Sequence, residues 1–280
     1  MKLIKNTPKI WIKKFPWKKK SSNKYSRGRV LILGGQKHMI GATILAAEAC
    51  LRVGVGSVKI ICTKETIKTL TLKFPSVLKV EINNISYLKS FLKKERKTTS
   101  VALVGPGAGS NSKTMKFTEE ILKQIKYVIL DADALNSFQH KTKKLLKLLD
   151  KFKLITPHKK EFHRLFPSIK TNLEDKKKVL NFIKLCKSNI LLKGNTTFIG
   201  SNKKIIKNTH SSSELAVIGS GDVLAGIIAS LVGDNKMSII EAAAAAAWLH
   251  GDIARKYGKG LISEDLIKGI QSGLDRLAKK

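Results

Sequence analysis

The most informative part of the sequence is Gly219-Ser220-Gly221-Asp222, followed by the apolar run Val223-Leu224-Ala225-Gly226-Ile227-Ile228-Ala229. The two glycines let the backbone approach a ligand closely, and the apolar run after them predicts a buried helix. A helix that begins there directs its unpaired N–H groups and its positive dipole end at the glycine turn, where phosphate binds favourably. Asp222 in the first turn is therefore a candidate general base beside that phosphate, or alternatively an N-cap of the helix.

Short apolar segments with helical patterns between them precede this turn. Strands are predicted at residues 30–33, 58–62, 101–104, 127–130, 153–155 and 190–192, and a buried helix at 41–53. Continuous apolar strands of about four residues are typical of a parallel sheet covered by helices on both faces. The sequence thus predicts an α/β sandwich of three layers.

The remaining segments complete a single domain. A hairpin is predicted from residues 196–200 and 204–207, and helices at 222–232, 238–256 and 263–279. No internal repeat or long linker divides the chain. We therefore expect a basic N-terminal arm at residues 1–27, docked in extended form, and one domain at residues 28–280.

Each candidate functional cluster comes directly after a predicted strand. The clusters are Gly34-Gly35 and residues 105–109, 131–136, 156–161 and 193–197. In open parallel sheets, ligands bind outside the carboxyl ends of the strands. We therefore expect all five clusters to meet at one edge of the sheet.

Two of these clusters have the composition of ligand-binding loops. Gly105-Pro106-Gly107-Ala108-Gly109 exposes N–H groups that could wrap a sugar or phosphate, although a plain strand-to-helix turn would look the same. Its spacing is that of neither a dinucleotide-binding fingerprint nor a P-loop. Lys193-Gly194-Asn195-Thr196-Thr197 combines an ammonium group with two hydroxyls, which suit nucleotide phosphates and ribose; an ordinary hairpin entry is the alternative.

Titratable side chains in the other clusters each admit two interpretations. His158 can exchange a proton near neutral pH or cap the helix that follows it. Asp131 and Asp133 could hold Mg²⁺ through water, or could cap and hydrogen-bond loop amides. His163 is not aligned with His158 on a helix face, so the pair does not predict a metal site. The remaining histidines are interpreted as structural: His38, His140, His210 and His250.

The net charge of +34 comes from 54 basic and 20 acidic residues, and only seven of the basic residues are arginine. A nucleic-acid partner would explain such a charge. However, the lysines are spread along the whole chain with few aromatics among them, and arginine, the preferred residue for bidentate recognition, is scarce. We therefore expect a solvated, lysine-rich surface and no nucleic-acid partner.

The three cysteines, Cys50, Cys62 and Cys186, form no close pair, which favours a reducing compartment over disulfides or a zinc site. No segment is apolar for long enough to span a membrane. Residues 1–47 lack Asp and Glu, as transit peptides do, but lysine rather than arginine dominates there. A cytoplasmic location without membrane association is the resulting expectation.

Taken together, these segments resemble the ADP-dependent NAD(P)H-hydrate dehydratase family, which has a ribokinase-like fold. The resemblance covers almost the whole chain, and its specificity comes from the order and spacing of the segments. They are the arm (Thr7-Pro8, Trp11, Lys24-Tyr25, Arg27-Gly28), Gly34-Gly35 with Gly41-Ala42, Val104-Gly105-Pro106-Gly107, Leu130-Asp131-Ala132-Asp133-Ala134-Leu135-Asn136, Thr156-Pro157-His158 with Glu161-Phe162, Leu192-Lys193-Gly194, and the segment from Gly219 to Gly226.

The resemblance implies a ribokinase-like three-layer αβα sandwich with a mostly parallel central sheet. It further implies a lyase of metabolite repair, which dehydrates (6S)-NAD(P)H hydrate to NAD(P)H and converts ADP to AMP and phosphate. ADP is the implied co-substrate, with ATP as the alternative, and Mg²⁺ the implied cofactor. A homotetramer is implied, as is a separate epimerase for the other hydrate epimer, since this chain has no room for an epimerase domain.

The resemblance also assigns site residues. The implied hydrate-contacting residues are Ala42, Gly107, His158 and Asp222, with Asp222 as the catalytic base. The implied adenine-nucleotide residues are Lys193, Gly194, Asn195, Thr196, Thr197 and Gly221. The N–H groups of Gly219, Ser220 and Gly221 are the implied anion hole, and no residue is assigned as a metal ligand. Two segments depart from the family pattern: Val217 stands where relatives usually carry a hydroxyl, and Gln36-Lys37-His38-Met39 is atypical.

Three other functions compete with this one. A ribokinase-like kinase acting on a vitamin precursor or sugar would use the same turn and aspartate but stop at the phosphorylated product. A nucleic-acid-binding protein would account for the charge and little else. A non-catalytic relative is disfavoured by the intact Asp222.

Overall fold

The apolar segments form a single ten-stranded sheet in the computed structural model, which describes residues 1–280. The strands are β1 (Lys2–Lys5), β2 (Arg29–Leu33), β3 (Ser57–Cys62), β4 (Leu78–Glu81), β5 (Val101–Val104), β6 (Val128–Leu130), β7 (Lys153–Ile155), β8 (Asn189–Leu192), β9 (Thr197–Gly200) and β10 (Lys204–Asn208). The helices are α1 (Ile40–Val53), α2 (Lys64–Lys73), α3 (Ile85–Glu95), α4 (Ser112–Gln124), α5 (Asp133–Asn136), α6 (Thr142–Leu146), α7 (Lys159–Leu165), α8 (Asp175–Cys186), α9 (Ser220–Gly233), α10 (Ile239–Tyr257) and α11 (Ser263–Ala278).

The strand order is β1-β10-β9-β8-β7-β6-β5-β2-β3-β4. Every neighbouring pair is parallel except the two that involve β9, which is antiparallel to both β8 and β10. Strands β9 and β10 form the predicted hairpin. The predicted strands, hairpin and C-terminal helices all occur, with bounds within two residues of those expected from the pattern. The predicted fold class, a mostly parallel sheet in a three-layer α/β sandwich, is confirmed.

Each face of the sheet packs against its own layer of helices. One core of 48 buried residues lies between the sheet and α1, α2, α9, α10 and α11. A second core of 31 buried residues lies between the opposite face and α3 to α8. Because both faces are covered, β2, β5 and β8 are apolar along nearly their whole length, as their sequences indicated.

Helices α1 and α9 pack closely because small residues line their contact. A Cβ on Gly226 would overlap the backbone carbonyl of Ala46, and the thiol of Cys50 donates to the carbonyl oxygen of Gly226 at 3.2 Å. Cys50 is fully buried, as the sequence indicated. This packing places the first turn of α9 beside the first turns of α1.

The N-terminal arm packs against the sheet and against α10. Strand β1 pairs in parallel with β10, and Trp11 is 1% exposed. Asn6 donates through Nδ2 to Asn208 Oδ1 at 2.8 Å and to the carbonyl of Ala244 at 2.7 Å, and it accepts from Trp11 Nε1. Buried polar and aromatic contacts thus attach the arm to two elements that follow it by more than 200 residues.

None of the helices combines the length and the apolar character that a membrane-spanning segment requires.

Candidate active site

The strands that precede the five predicted clusters are neighbours in the order β8, β7, β6, β5 and β2, and all of them run parallel. The loops after these strands therefore lie along one edge of the sheet, as expected. Helix α9 begins at the same edge, since a Cβ on Gly221 would lie 3.3 Å from Lys193 Nζ. This edge is the candidate active site.

The glycine turn before α9 leaves backbone donors free. Gly219 is the N-cap and has a φ of +88°, in the left-handed region that favours glycine. The N–H groups of Gly221 and Asp222 donate to no acceptor within the protein. Leu45 of α1 and Ser263 of α11 contact Gly219, and Ser263 Oγ donates to the carbonyl of Ile218 at 2.6 Å. The turn is therefore held from both sides while its N–H groups remain available to an anion.

The Asp222 carboxylate lies in the first turn of α9 and accepts no hydrogen bond from the protein. The N-cap is Gly219, so the alternative interpretation of Asp222 as an N-cap does not hold. Burial, reinforced by the charge of Asp131, raises the pKa of Asp222 to about 7, against the lowering effect of Lys193. A carboxylate with a pKa near the working pH is well suited to exchange a proton with a ligand.

Asp131 directly follows β6, and its carboxylate interacts with both charged residues of the site, Lys193 and Asp222. It is 1% exposed, and its Oδ1 accepts from Lys193 Nζ and from Thr156 Oγ1, both at 2.7 Å. Burial opposes the charge on Lys193, but the nearby carboxylates, Asp131 first among them, raise its pKa above the ordinary value. Lys193 is therefore a charged group fixed at the wall of the site.

Asp133 accepts a hydrogen bond from a loop amide, which is one of the two interpretations that the sequence allowed. Its Oδ2 accepts from the Gly109 N–H at 2.9 Å, and burial raises its pKa. Nowhere in the structure do three or more His, Cys, Asp or Glu side chains converge as metal ligands would. With Asp131 paired to Lys193 and Asp133 bound to Gly109, these carboxylates do not form a metal-binding set.

His158 caps α7 and also faces the site. Its Nδ1 accepts from the N–H groups of Lys160 and Glu161, and Glu161 Oε2 accepts from the His158 N–H at 2.9 Å. Burial lowers the pKa of His158, so the ring is neutral at pH 7. Since Nδ1 is an acceptor, the proton of the neutral ring resides on Nε2. The capping interpretation is therefore correct, and the half-exposed ring still lines the cavity described next.

A cavity of about 490 Å³ opens between the Lys193 loop, the start of α9 and α10. Its lining contains no carboxylate and comprises His158, Lys193, Gly194, Asn195, Thr197, Ser211, Ser212, Ser213, Leu215, Ala216, Val217, Ser220, Gly221, Leu224 and His250. The polar, cationic end of the cavity is at Lys193 and Gly221, and the apolar side chains of Leu215 and Leu224 lie in the same cavity. An anionic ligand with a flat apolar part fits this distribution.

His250 and the serines before the glycine turn were not identified from the sequence as site residues. His250 is buried, its pKa is lowered by burial to about 4, and its Nε2 lies 3.2 Å from Ser220 Oγ. A histidine within a helix of alanines gave no signal for this role, because only the fold brings α10 beside α9. Ser211, Ser212 and Ser213 could have been suspected as hydroxyl groups close to the turn in sequence.

Ala42 and Gly107, assigned by resemblance to the hydrate, lie together on the α1 side of the edge. Thr43 joins their loops: its Oγ1 accepts from the Gly35 N–H at 2.6 Å and donates to the carbonyl of Pro106 at 2.7 Å. Gly107 has a φ of +64°, and a Cβ there would lie 2.9 Å from Thr43 Oγ1. The two glycine turns are thus fixed against the start of α1.

The site residues predicted from the sequence therefore fall into two groups. His158, Lys193, Gly194, Asn195, Thr197, Ser220 and Gly221 line the cavity. Thr196 and Gly219 belong to the same two loops without lining it, and Ala42 and Gly107 form the second group. Asp222 belongs to the turn that lies between the two groups.

A sequence model described as NAD(P)H-hydrate dehydratase matches residues 30–271 of the chain. The ADP-dependent (S)-NAD(P)H-hydrate dehydratase of Neisseria meningitidis is 31% identical over 271 residues, covering 93% of this chain and 85% of that protein. The bifunctional NAD(P)H-hydrate repair enzyme of Dictyoglomus turgidum is 29% identical over 280 residues, covering 93% of this chain. The chain spans 53% of that enzyme, about half the length of the bifunctional relatives.

Solved structures share the fold. A ribokinase-like superfamily protein of Enterococcus faecalis superimposes with a TM-score of 0.86 at 23% identity, covering 99% of this chain and 97% of that one. The ADP/ATP-dependent NAD(P)H-hydrate dehydratase of Bacillus subtilis, co-crystallized with ATP/Mg²⁺, gives a TM-score of 0.82 at 23% identity, with 99% of each chain covered. The predicted ribokinase-like fold is confirmed.

Proposed function

The chain belongs to the NAD(P)H-hydrate dehydratase family, and on that basis we propose that it dehydrates (6S)-NAD(P)H hydrate to NAD(P)H at the expense of ADP. AMP and phosphate are the other products. The observation that carries this proposal is the Asp222 carboxylate, which has a pKa of about 7 and stands beside the free N–H groups of the glycine turn. That arrangement suits a base acting next to a phosphate.

The cavity is the proposed binding site of ADP. The side chain of Lys193 and the N–H groups of Gly219 and Gly221 would hold the terminal phosphate. The Ser220 N–H, predicted for the same anion hole, instead donates to the carbonyl of Val217 at 3.4 Å. The residues Gly194, Asn195, Thr196 and Thr197 would contact the rest of the nucleotide. Hydrate would bind at Ala42 and Gly107 on the opposite side of Asp222, and His158 would contact it from the wall of the ADP cavity.

In the first step Asp222 takes the proton from the hydroxyl group of the hydrate, whose oxygen attacks the terminal phosphorus of ADP. The bond between that phosphorus and the bridging oxygen breaks, and AMP leaves. Negative charge on the transferred phosphoryl group meets the N–H groups of the turn, where one such donor contributes about 3 kcal/mol in comparable sites. The phosphate then leaves the ring carbon, expelled by the lone pair of the ring nitrogen. The resulting iminium ion loses a proton from the adjacent ring carbon to the departing phosphate, and NAD(P)H remains.

Magnesium enters this proposal with the nucleotide. The carboxylates of Asp131 and Asp133 are engaged with Lys193 and Gly109, so the chain's own residues do not fit a metal-binding set. Mg²⁺ commonly binds through substrate phosphates with few protein ligands. We therefore propose that ADP binds as its magnesium complex, with ATP as an alternative donor.

We also propose a domain organisation, an oligomeric state and a cellular location for the enzyme. Residues 28–280 act as one catalytic domain, stabilised by the arm formed by residues 1–27, and the working state is a homotetramer in the cytoplasm. The three cysteines are free, as is typical of a reducing compartment. The relatives of about twice this length are named bifunctional repair enzymes, and we propose that an epimerase of the hydrate supplies the (6S) epimer to this site.

The decisive experiment adds the protein, Mg²⁺ and ADP to hydrated NADH and records the absorbance of reduced nicotinamide. We expect ADP-dependent recovery of that absorbance with equal amounts of AMP and phosphate, and loss of turnover in Asp222→Asn with nucleotide binding retained. Substitution of ATP for ADP identifies the donor. A stable phosphorylated product would instead establish the kinase, and full activity of Asp222→Asn would remove Asp222 from the mechanism.

A further inference from the structure

Asp131 does not itself line the cavity, yet it is the most buried charged group at this edge of the sheet. Both of its hydrogen-bond donors, Lys193 Nζ and Thr156 Oγ1, approach the same oxygen at 2.7 Å. Thr156 is itself 1% exposed. A buried carboxylate is tolerated only with such partners, and together they leave it one fixed orientation.

That orientation fixes the Lys193 ammonium over the start of α9. From a Cβ on Gly221, Lys193 Nζ would lie 3.3 Å away and Asp131 Oδ2 4.0 Å away. Lys193 lines the cavity, whereas Asp131 stands behind it. The order from the core to the cavity is thus Thr156, Asp131, Lys193 and then the free N–H groups of the turn.

We propose that Asp131, oriented by Thr156, is a positioning residue that fixes the Lys193 ammonium at the phosphate-binding turn, and that its charge sets the pH at which ADP binding responds to the protonation of Asp222. This inference rests on the proposed use of ADP. It assigns to Asp131 a role in nucleotide binding without contact with the nucleotide.

The second part of the inference follows from the charges that face Asp222. Burial raises the pKa of Asp222, as do Asp131, Asp133 on α5 and Glu161 on α7, while Lys193 lowers it. From α10, only His250 faces this turn, and its lowered pKa keeps it neutral at pH 7. Removing the charge of Asp131 therefore lowers the pKa of Asp222.

Protonation of Asp222 in turn affects nucleotide binding. The ionised carboxylate repels a phosphate at the neighbouring N–H groups, and the neutral carboxyl does not. ADP affinity is thus expected to decrease as the pH rises through about 7, the pKa of Asp222. In Asp131→Asn the same decrease is expected at lower pH, by about one pH unit for a like charge at close range.

The test measures the ADP dissociation constant by titration calorimetry from pH 5.5 to 9, with Mg²⁺ present, for the wild type and four variants. Every pH profile of the dissociation constant contains an inflection from the ionisation of ADP itself. The Asp222→Asn profile should contain that inflection alone and lack the second one, which comes from Asp222. Asp131→Asn should retain that inflection at lower pH. Thr156→Val keeps both charges and should weaken ADP binding about fivefold, because the orienting hydrogen bond is lost, without moving the inflection.

Thr118→Val is the matched control. Thr118 is also a buried threonine, and its hydroxyl donates to a backbone carbonyl on α4 at 2.7 Å, remote from the site. It should bind ADP as the wild type does. An Asp131→Asn profile that coincides with that of the wild type, or wild-type affinity in Thr156→Val, would overturn the inference. Dehydration is not needed for this test, so wild-type protein that binds ADP but leaves the hydrate unchanged contradicts only the proposed function.

Discussion

Asp222, in the first turn of α9, combines two properties: it is half-buried, and its carboxylate has no hydrogen-bond partner within the protein. Burial raises its pKa to about 7, and the neighbouring carboxylates act in the same direction. The free N–H groups of the turn lie on the same first turn of α9. The residue is thus kept reactive by surroundings that do not stabilise its ionised form.

The first prediction concerns the pH dependence of turnover. Because a general base must be ionised, kcat/KM should rise tenfold per pH unit below about 7 and level off above it. Initial rates between pH 5.5 and 9, at ADP concentrations well below its dissociation constant, provide the measurement, because they report the pKa of Asp222 in the nucleotide-free enzyme. A profile that is flat from pH 5.5 to 8 would show that Asp222 is not the base.

The second prediction concerns stability. The folded-state pKa of Asp222, about 7, exceeds the unfolded value of about 4, so its contribution to stability is present below pH 4 and is lost as the pH rises to 7. Asp222→Asn should therefore raise the free energy of unfolding by about 2 kcal/mol at pH 8 and by almost nothing at pH 4. Urea denaturation at both pH values checks this, and an equal gain at both would contradict it.

At this scale the sequence predicts the chemistry of residues better than their contacts. Asp222 and Lys193 could be identified as site residues from the sequence, because one follows a glycine turn and the other ends a strand, and both positions lie at the ligand-binding edge of a parallel sheet. For His158 the sequence allows two interpretations, and the structure combines them: its Nδ1 accepts from the N–H groups of α7, and its ring lines the cavity. His250 could not be found, because its neighbour Ser220 is 30 residues away in sequence.

At the scale of elements, the position of the site depends on how closely α1 and α9 approach each other. Gly226 allows this approach, since any larger residue would overlap the Ala46 carbonyl, which is backbone and cannot rotate away. The same contact brings the start of α1, with Ala42, next to the glycine turn.

The third prediction compares two helical glycines. Gly226→Ala should lower the free energy of unfolding by about 2–3 kcal/mol, because the added methyl group forces the two helices apart. Gly41→Ala in α1, where a Cβ would meet nothing within 4 Å, should be neutral or stabilising by up to about 1 kcal/mol. Chemical denaturation of both variants is the measurement. Equal effects would mean that helix propensity, and not packing, determines the outcome.

Most of the central elements were predictable because their periodicity is unambiguous. Strand β5 is a continuous apolar segment, and α9 has no charged residue after its first turn. The edge strands β1 and β4 were not predicted. Their sequences, Lys2-Leu3-Ile4-Lys5 and Leu78-Lys79-Val80-Glu81, are short and half-charged, as edge strands commonly are.

At the scale of the whole molecule, the arm contributes to the core. Trp11 packs between Phe15 and Trp248, with ring centroids at 6.1 and 6.2 Å. It therefore covers part of α10, the helix that carries His250 into the site.

The fourth prediction tests this contribution. Trp11→Ala should lower the free energy of unfolding by about 3–5 kcal/mol, the usual cost of removing a large buried aromatic side chain. Tyr25→Ala, at a position in the same arm that is 76% exposed, should change it little. Denaturation midpoints of both variants are compared. A small effect of Trp11→Ala would mean that the arm merely covers a core that is stable without it.

The parallel pairing of β1 with β10 also affects how the protein is made. Residues 2–5 leave the ribosome about 200 residues ahead of their partner, residues 204–207. At ordinary translation rates of 5–20 residues per second, this strand waits for about 10–40 s. During that interval the nascent chain exposes an unpaired strand and the indole of Trp11. The first 17 residues should therefore be a chaperone-binding segment during synthesis, until the last third of the chain emerges and covers them.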